Sequence, residues 1–190
     1  MEILISIVMP AYNCEKYVVE AINSVLFQTH QNFELIVIDD GSKDNTVNLI
    51  EEMTKMDSRI KFYINKNNQG VAATRSRGVS LATGDWIAYL DSDDCWVKEK
   101  LEKQINCLNK TKGNFLFTGS SFMNENSELY KGILEVPEKV SYKELLKQNI
   151  ISCSSVLIKK KYIEEYKMEK DETHEDFGSW LRILKVERYA

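Results

Sequence analysis

The 190-residue sequence has few of the residues that cross-link or interrupt a fold: it contains 2 prolines, 8 glycines and 4 cysteines. No two cysteines have the Cys-x-x-Cys spacing. Neither histidine, His30 or His174, lies at a spacing from a cysteine that is typical of a shared metal site. This pattern disfavours a disulfide-bonded secreted domain and a structural zinc site. We expect free, structurally buried thiols in a reducing cytoplasm at Cys14, Cys95, Cys107 and Cys153.

Long hydrophobic runs are also missing. The apolar run Ile3–Met9 ends at Pro10, which makes it too short for a signal peptide or a membrane span. No other stretch approaches the roughly 18 apolar residues that a membrane-spanning helix needs. The sequence therefore predicts a cytoplasmic protein whose contact with a membrane, at its inner face, would be peripheral.

Dense positive charge is a third absence, since the only basic triplet is Lys159–Lys161 and the net charge is −4. A nucleic-acid binder that works by neutralising phosphates is disfavoured. Residues 1–94 carry 8 basic and 14 acidic groups, whereas residues 95–190 carry 17 and 15. The length and the 43% hydrophobic content suit one soluble domain spanning residues 1–190, with its acidity in the first half.

Buried-looking strands alternate with amphipathic helices through the first half, which predicts right-handed crossovers and a mostly parallel α/β sheet. Asn13 is expected to cap the first helix. The expected strands are 3–9, 35–38, 60–64 and 86–90, and the expected helices follow the first three of them, the third over 71–82.

The alternation of strands and helices is less regular after residue 95. We expect a final amphipathic helix that begins at His174-Glu175-Asp176. Before it, the sequence predicts a helix over 96–108, a strand over 115–118, a loop or hairpin over 124–137, a short helix over 142–147 and a strand over 154–158.

Three polar clusters follow predicted strands: Pro10–Asn13, Asp39–Ser42 and Asp91–Asp94. In a strand order of 3-2-1-4 they would converge at the carboxyl edge of the sheet, where ligands of open α/β sheets bind. Asp91 and Asp93, two residues apart, could hold Mg²⁺ or Mn²⁺ together with water and diphosphate oxygens. The alternatives are a turn with helix-capping acids at Asp91–Asp94 and an ordinary Asp-Gly turn at Asp39–Ser42.

Two other ligand-binding patterns fail. The turn Met9–Asn13 has no glycine, so the G-x-G-x-x-G site of a nicotinamide-dependent oxidoreductase is missing, although Asp40 could still bind ribose hydroxyls. An EF-hand loop would need a further oxygen ligand and a glycine where the chain has Cys95 and Trp96.

Together, these segments resemble family-two glycosyltransferases of the GT-A fold. The residues that carry the resemblance are Ser6–Asn13 (SIVMPAYN), Val37–Thr46 (VIDDGSKDNT), Gly84–Asp94 (GDWIAYLDSDD) and Glu175–Phe177 (EDF). The resemblance runs in order over nearly the whole chain. It implies a Rossmann-like sheet with a nucleotide-sugar-binding half, 1–94, and a small acceptor-side half, 95–190.

The resemblance further implies metal-dependent transfer of a sugar, hexosyl or N-acetylhexosaminyl, from a UDP-sugar to an acceptor hydroxyl, with inversion at the anomeric carbon. The acceptor would be a glycan or lipid-linked saccharide in surface-polysaccharide synthesis. By the same resemblance, Pro10, Ala11 and Tyr12 would line the base and ribose pocket, and Asp40 would bind base or ribose. Asp91 and Ser92 would lie near ribose and diphosphate, and Asp93 would hold the metal.

Asp176 resembles the catalytic base of the family, which takes the acceptor proton. The alternative is that Glu175 and Asp176 are merely acids favoured in the first turn of a helix. His174 is expected at the surface or beside the site. For Arg75, in a stretch that resembles A-R-N-x-G, a contact with the nucleotide and a packing role are both open.

Three departures from the family pattern limit the resemblance. Ser76 replaces the usual asparagine of A-R-N-x-G, and no Q-x-x-R-W follows Glu175-Asp176, which argues against a processive synthase. The sequence stops at Ala190, soon after the last predicted helix, so we expect an acceptor side that is shorter than in relatives. An inactive nucleotide-sugar-binding module or partner subunit is the alternative, and a homodimer is compatible with either.

Overall fold

A six-stranded sheet lies between two layers of helices, with a separate two-stranded hairpin beside it. The computed structural model of the chain describes residues 3–169 and 174–190. The order of the sheet is β3-β2-β1-β4-β8-β5. Its strands are β1 Ile5–Ala11, β2 Phe33–Asp39, β3 Ile60–Ile64, β4 Trp86–Tyr89, β5 Phe115–Leu116 and β8 Leu157–Lys159, and the hairpin is β6 Ser120–Met123 with β7 Leu129–Leu134.

The first four strands are parallel, which confirms the predicted order 3-2-1-4. Strand β8 then pairs with β4 in the antiparallel sense, and β5 pairs antiparallel with β8. The predicted fold class, a mostly parallel α/β sheet, is therefore correct. The antiparallel strand brings the second half of the chain directly beside the last parallel strand.

Seven helices flank the sheet within residues 3–169 and 174–190. They are α1 Val18–Leu26, α2 Thr46–Met56, α3 Val71–Leu81, α4 Lys100–Thr111, α5 Tyr142–Leu145, α6 Lys160–Glu165 and α7 Glu175–Leu184. In this part of the chain, no helix is long and apolar enough to cross a membrane.

The sheet is buried on both sides. Helices α1, α2 and α4 cover one face, and α3, α5, α6 and α7 cover the other. Helix α3 lies so close to β1 that a Cβ atom built on Gly78 would be 2.3 Å from Cγ1 of Val8. Only glycine allows this approach, which sets the short distance between α3 and β1.

The prediction that Asn13 caps the first helix is wrong. Helix α1 begins at Val18, and Asn13 adopts a left-handed backbone conformation with φ of 48°, which asparagine tolerates better than most residues. Its side-chain Oδ1 accepts a hydrogen bond from the Lys43 N–H at 2.8 Å. Asn13 therefore joins the loop after β1 to the loop after β2.

The second half differs from prediction mainly at element ends. Helix α4 begins at Lys100 rather than near residue 96, β5 ends at Leu116, and Ser154 lies in a 3₁₀ turn before β8. Helix α6 was not predicted, because its six residues are too few to show a helical period.

All four cysteines are free thiols, as predicted. The predicted burial holds for Cys14 and Cys153, whereas Cys95 is only partly buried. The prediction is wrong for Cys107, which lies on the exposed side of α4.

Candidate functional site

Two clefts open at the carboxyl edge of the parallel strands. The first cleft, of about 380 Å³, lies over the ends of β1, β2 and β4. The second cleft, of about 360 Å³, lies between the start of α7 and residues 149–153. Arg75 and Asp91 line both of them, so the two clefts meet at these two side chains.

The loop after β1 forms one wall of the first cleft and contains Pro10, Ala11 and Tyr12. Tyr12 is 49% exposed and offers an aromatic surface at the cleft. The Asn13 N–H donates to Ser42 Oγ at 2.9 Å, which ties this wall to the loop after β2. This bond restrains the backbone next to Tyr12, so the flat Tyr12 ring is held in position to contact a ligand.

Asp40 is buried at the base of the first cleft and organises the loop before α3. Its Oδ1 accepts hydrogen bonds from Asn65 Nδ2 at 2.6 Å and from the Gln69 N–H at 2.9 Å. Its Oδ2 accepts one from the Gly70 N–H at 2.8 Å. A carboxylate has about four acceptor positions, so Asp40 retains capacity to accept one more hydrogen bond from a ligand.

Ser154, from the second half of the chain, holds the acidic loop after β4. Its Oγ accepts a hydrogen bond from the Asp91 N–H at 3.0 Å and donates one to Asp94 Oδ2 at 2.6 Å. Its carbonyl oxygen accepts a third bond from Trp96 Nε1 at 2.8 Å. Burial raises the pKa of the Asp94 carboxyl, against the opposing effect of its bond from Ser154. Asp94 lines neither cleft, so we assign it a structural role.

Asp93 is exposed on the first cleft, beside Ser92. No residue of 3–169 or 174–190 donates a hydrogen bond to its carboxylate or pairs with it. The same ranges contain no group of three or more histidine, cysteine or acidic side chains arranged to bind a metal ion. Mg²⁺ and Mn²⁺ commonly take one or two protein carboxylates and complete their shell with diphosphate oxygens and water. The free carboxylate of Asp93 fits that requirement.

Arg75 lies buried between the clefts. Its Nη2 contacts Asp91 Oδ1 at 2.5 Å, and its Nη1 contacts Glu175 Oε1 at 2.7 Å. Burial alone would lower the pKa of this guanidinium, but the acidic groups around it, Asp91 and Glu175 among them, raise the pKa above its ordinary value. Arg75 therefore joins the loop after β4 to the start of α7, and it also occupies one oxygen of Asp91.

Helix α7 presents two acidic residues at its first turn, preceded by His174 in a left-handed conformation with φ of 59°. Asp176 lines the second cleft, and its Oδ1 accepts a hydrogen bond from the Phe177 N–H at 2.7 Å. Burial raises the pKa of the Asp176 carboxyl, against this hydrogen bond and the charge of Arg75. A carboxylate with a raised pKa is a stronger base, so Asp176 can accept a proton in the second cleft.

The buried ring of Trp180 anchors α7 against the sheet. Its centroid lies 5.1 Å from that of Phe115 and 6.4 Å from that of Tyr89.

The rest of the lining of the second cleft combines polar groups, among them Asn149 and Ser152, with apolar ones such as Leu134 and Ile150. The cleft can therefore accept a ligand with both hydroxyl groups and apolar surface.

The structure brings the predicted site residues into these two clefts. Asp176 lines the second, Arg75 and Asp91 line both, and the first also contains Pro10, Ala11, Tyr12, Asp40, Ser92 and Asp93. Sequence reasoning missed the ion pair of Glu175, although its position beside Asp176 was a weak signal. It also missed Ser154, for which the sequence carries no local signal.

Comparison with known proteins identifies the family. The model of "Glycosyl transferase family 2" matches residues 6–167. A UDP-Glc:alpha-D-GlcNAc-diphosphoundecaprenol beta-1,3-glucosyltransferase of Escherichia coli, WfgD, is 39% identical over 182 residues, which are 96% of this chain and 70% of that protein.

Solved structures share the fold. Staphylococcus aureus TarS 1-349 in complex with UDP superposes with a TM-score of 0.78 at 21% identity, over 95% of this chain and 54% of that one. A mannosyltransferase of Pyrobaculum calidifontis in complex with GDP-Man and Mn²⁺ gives 0.74 at 14% identity, over 97% and 52%. The chain thus spans about half the length of the solved chains that it matches. The match of the family model to residues 6–167 and the 39% identity with WfgD show that the chain belongs to glycosyl transferase family 2.

Proposed function

We propose that the chain catalyses metal-dependent transfer of a sugar from a UDP-sugar to an acceptor hydroxyl, with inversion at the anomeric carbon. One observation carries this proposal. Two clefts meet at Arg75 and Asp91, with the free carboxylate of Asp93 in the first and the basic carboxylate of Asp176 in the second. A donor with a diphosphate and an acceptor with a hydroxyl would meet at this junction.

The first cleft would hold the donor. The Tyr12 ring would stack on the base, and the remaining acceptor position of Asp40 would take an N–H of the base or a ribose hydroxyl. Ser92 and Asp91 would lie along the ribose and diphosphate, while Asp93, with Asp91 beside it, would hold Mn²⁺ or Mg²⁺. The bound ion would stabilise negative charge on the departing diphosphate. The UDP in the TarS complex and the Mn²⁺ in the mannosyltransferase complex support these assignments.

Asp176 would act as the base. The acceptor oxygen attacks the anomeric carbon, the bond from that carbon to the diphosphate oxygen breaks, and the hydroxyl proton passes to the Asp176 carboxylate. Because the acceptor and the leaving group lie on opposite sides of the sugar, one displacement inverts the anomeric configuration. The raised pKa of Asp176 favours proton capture, and no covalent intermediate on the protein is required.

The second cleft would hold the acceptor, for which we propose a lipid-linked saccharide at the cytoplasmic face of a membrane. The name of the Escherichia coli relative includes a diphosphoundecaprenol acceptor and a glucosyl donor, which supports this substrate class and a hexosyl transfer. Asn149 and Ser152 would bind hydroxyls of the acceptor sugar. The product would belong to a surface polysaccharide or a related glycan.

Asp176→Asn tests the proposal with little change of shape. We expect UDP-sugar binding, measured by isothermal titration with Mn²⁺, to stay within about twofold, and transfer to fall by about 10²–10⁴-fold. Asp85→Asn is the matched control, because Asp85 is an exposed carboxylate before β4, at the opposite edge of the sheet. Transfer that survives in Asp176→Asn would remove this residue as the base.

Asp93→Ala tests the metal assignment separately. We expect UDP binding to lose its dependence on Mn²⁺ and to weaken by about 10-fold or more, because the diphosphate would lose its bridging cation. Unchanged metal-dependent binding would refute this role. Binding of UDP by the unaltered protein without any transfer or donor hydrolysis would favour the alternative function, an inactive nucleotide-sugar-binding module.

A further inference from the structure

A basic surface with exposed apolar side chains extends from the end of α7 along α5 toward the second cleft. Two segments form it, one around α5 and one after α7, and they are joined by reciprocal backbone hydrogen bonds between Val140 and Ala190 at 3.0 and 3.1 Å. We call this surface the basic face. It consists of Lys139, Lys143, Leu146, Lys147, Lys185, Val186, Arg188 and Tyr189, all exposed to solvent.

The five cations of the basic face have no carboxylate partner within hydrogen-bonding distance among residues 3–169 and 174–190. The nearby acids are mostly engaged elsewhere. Glu144 caps α5 through Ser141 at 2.6 and 2.8 Å, and Glu187 accepts hydrogen bonds from Tyr162 and Asn114. These hydrogen bonds do not remove the negative charge of the acids: with Glu138, Glu144 and Glu187 counted against its five cations, the surface keeps a net charge of +2. Its cations remain exposed to an external partner.

Three of the five cations lie near tyrosine rings. The Lys139 ammonium lies 5.8 Å from the ring centroid of Tyr189, and the Arg188 guanidinium lies 5.3 Å from the same centroid. Lys185 lies 5.6 Å from the ring of Tyr142. Cations interleaved with tyrosines and exposed aliphatic groups, here Leu146 at 55% and Val186 at 57%, match the interface between lipid headgroups and acyl chains.

We propose that the basic face docks this protein on the surface of an anionic bilayer. Clusters of four to eight basic residues bind anionic membranes at about 1 kcal/mol, or about fivefold, per residue, and the attraction acts within a Debye length. The whole chain carries a net charge of −4, so general attraction to an anionic surface is absent and binding requires this face to be turned toward the membrane. Leu146, Val186 and Tyr189 then enter the headgroup region.

This inference rests on the proposed lipid-linked acceptor, and it adds where the membrane would lie relative to the second cleft. Helix α7 begins with Asp176 in the second cleft and ends at the basic face. Asn149 and Ile150, which follow α5 by a few residues, line the same cleft. Docking by the basic face sets the side formed by α5 and α7 against the membrane. The acceptor cleft then lies at the start of α7, about 15 Å along this ten-residue helix from Lys185, where the saccharide of a lipid-linked acceptor would have to reach it.

Vesicle co-sedimentation tests the docking surface independently of catalysis. We expect the protein to bind vesicles of phosphatidylcholine with 30% phosphatidylglycerol and not vesicles of phosphatidylcholine alone, with binding lost at about 0.5 M salt. The triple variant Lys143→Gln, Lys147→Gln, Lys185→Gln removes three charges from the basic face. It should lower the partition coefficient by about 100-fold.

The triple variant Lys55→Gln, Lys103→Gln, Lys110→Gln is the matched control, since it makes the same change of net charge on α2 and α4. Equal loss in both variants, equal binding to both vesicle types, or no binding to either overturns the proposal. Thermal unfolding and UDP binding should be the same in both variants. Failure of the proposed function would instead appear as absence of transfer to an acceptor with a short soluble lipid, with vesicle binding unchanged.

Discussion

The two halves of the chain hold their functional groups in different ways. In residues 1–94 the polar groups follow adjacent parallel strands, so their convergence is a property of the sheet itself. Residues 95–190 instead hold their groups in place through contacts with residues that are distant in sequence. Glu175 binds Arg75 across 100 residues, and Ser154 binds the Asp91 N–H across 63. The first half is thus not an independent module, because the second half supplies the supports of its acidic loop.

Arg75→Met should have the largest effect, because it cuts the connection between the halves. Removing the guanidinium leaves Asp91 and Glu175 facing each other, which should lower the free energy of unfolding by about 3 kcal/mol. Transfer should fall by about 100-fold or more. Arg59→Met is the matched control: its pair with Asp57 is half-exposed at the opposite edge of the sheet, so a loss of about 1 kcal/mol and normal activity are expected. Similar losses in the two variants would contradict the bridge.

The pH dependence of kcat at saturating donor tests the second half alone. The base must be ionised, so kcat should decrease about tenfold for each pH unit below the pKa of Asp176, and burial places that pKa above the ordinary aspartate value. Glu175 raises this pKa further by its negative charge, so in Glu175→Gln the acidic limb should move to lower pH. A limb that stays in place in this variant would argue against Asp176 as the titrating group.

Ser154→Ala tests whether the second half supports the first. The change removes the acceptor of the Asp91 N–H and the donor to Asp94, and each of these groups is at least partly buried. We expect the free energy of unfolding to fall by about 2 kcal/mol and UDP affinity to fall several-fold, measured by denaturation and titration. Ser155→Ala is the control, since within residues 3–169 and 174–190 its hydroxyl donates to the Ser152 carbonyl and bonds to neither Asp91 nor Asp94. Normal UDP affinity in Ser154→Ala would show that the loop after β4 holds its shape alone.

Lys100→Met should have the smallest effect on transfer, and it probes the packing of α4 between the two halves. Burial lowers the pKa of Lys100 from 10.5 to about 7, and its ammonium lies 3.9 Å from the Trp96 ring. Between these pH values the unfolded chain binds a proton that the folded protein has released, so stability should increase as pH rises from 7. Lys100→Met should remove most of this increase, about 2–3 kcal/mol between denaturation at pH 6 and at pH 9, whereas the exposed Lys98→Met should not.

The sequence was sufficient for the parallel part of the fold because buried strands have unbroken β-branched runs, as in β1 and β2. It was insufficient for the place of β8 in the sheet. The strand predicted over 154–158 is present at Leu157–Lys159, but nothing in its three residues marks its antiparallel pairing with β4. Asn13 was misassigned because asparagine suits both a helix cap and a left-handed loop position, and only the contact with Lys43 decides between them.

The candidate site was predictable to the same extent. Clusters at the ends of neighbouring strands can be located from sequence because the strand order brings them together, as for Pro10, Asp40 and Asp91. The roles of Arg75 and Ser154 could not be, because each depends on a partner more than ten residues away in sequence that only the folded chain brings close. The roles of the cleft residues in binding and catalysis remain predictions for the experiments above.

The hydroxyl of Ser154 also sets an order of events during synthesis. A chain grows from its N-terminus, so Asp91 leaves the ribosome many residues before the serine that holds its backbone. A nascent chain can complete its first four strands while its acidic loop still lacks this anchor. The acidic loop therefore reaches its final conformation late, when the antiparallel strand β8 joins the sheet, and an unfinished polypeptide lacks a complete first cleft.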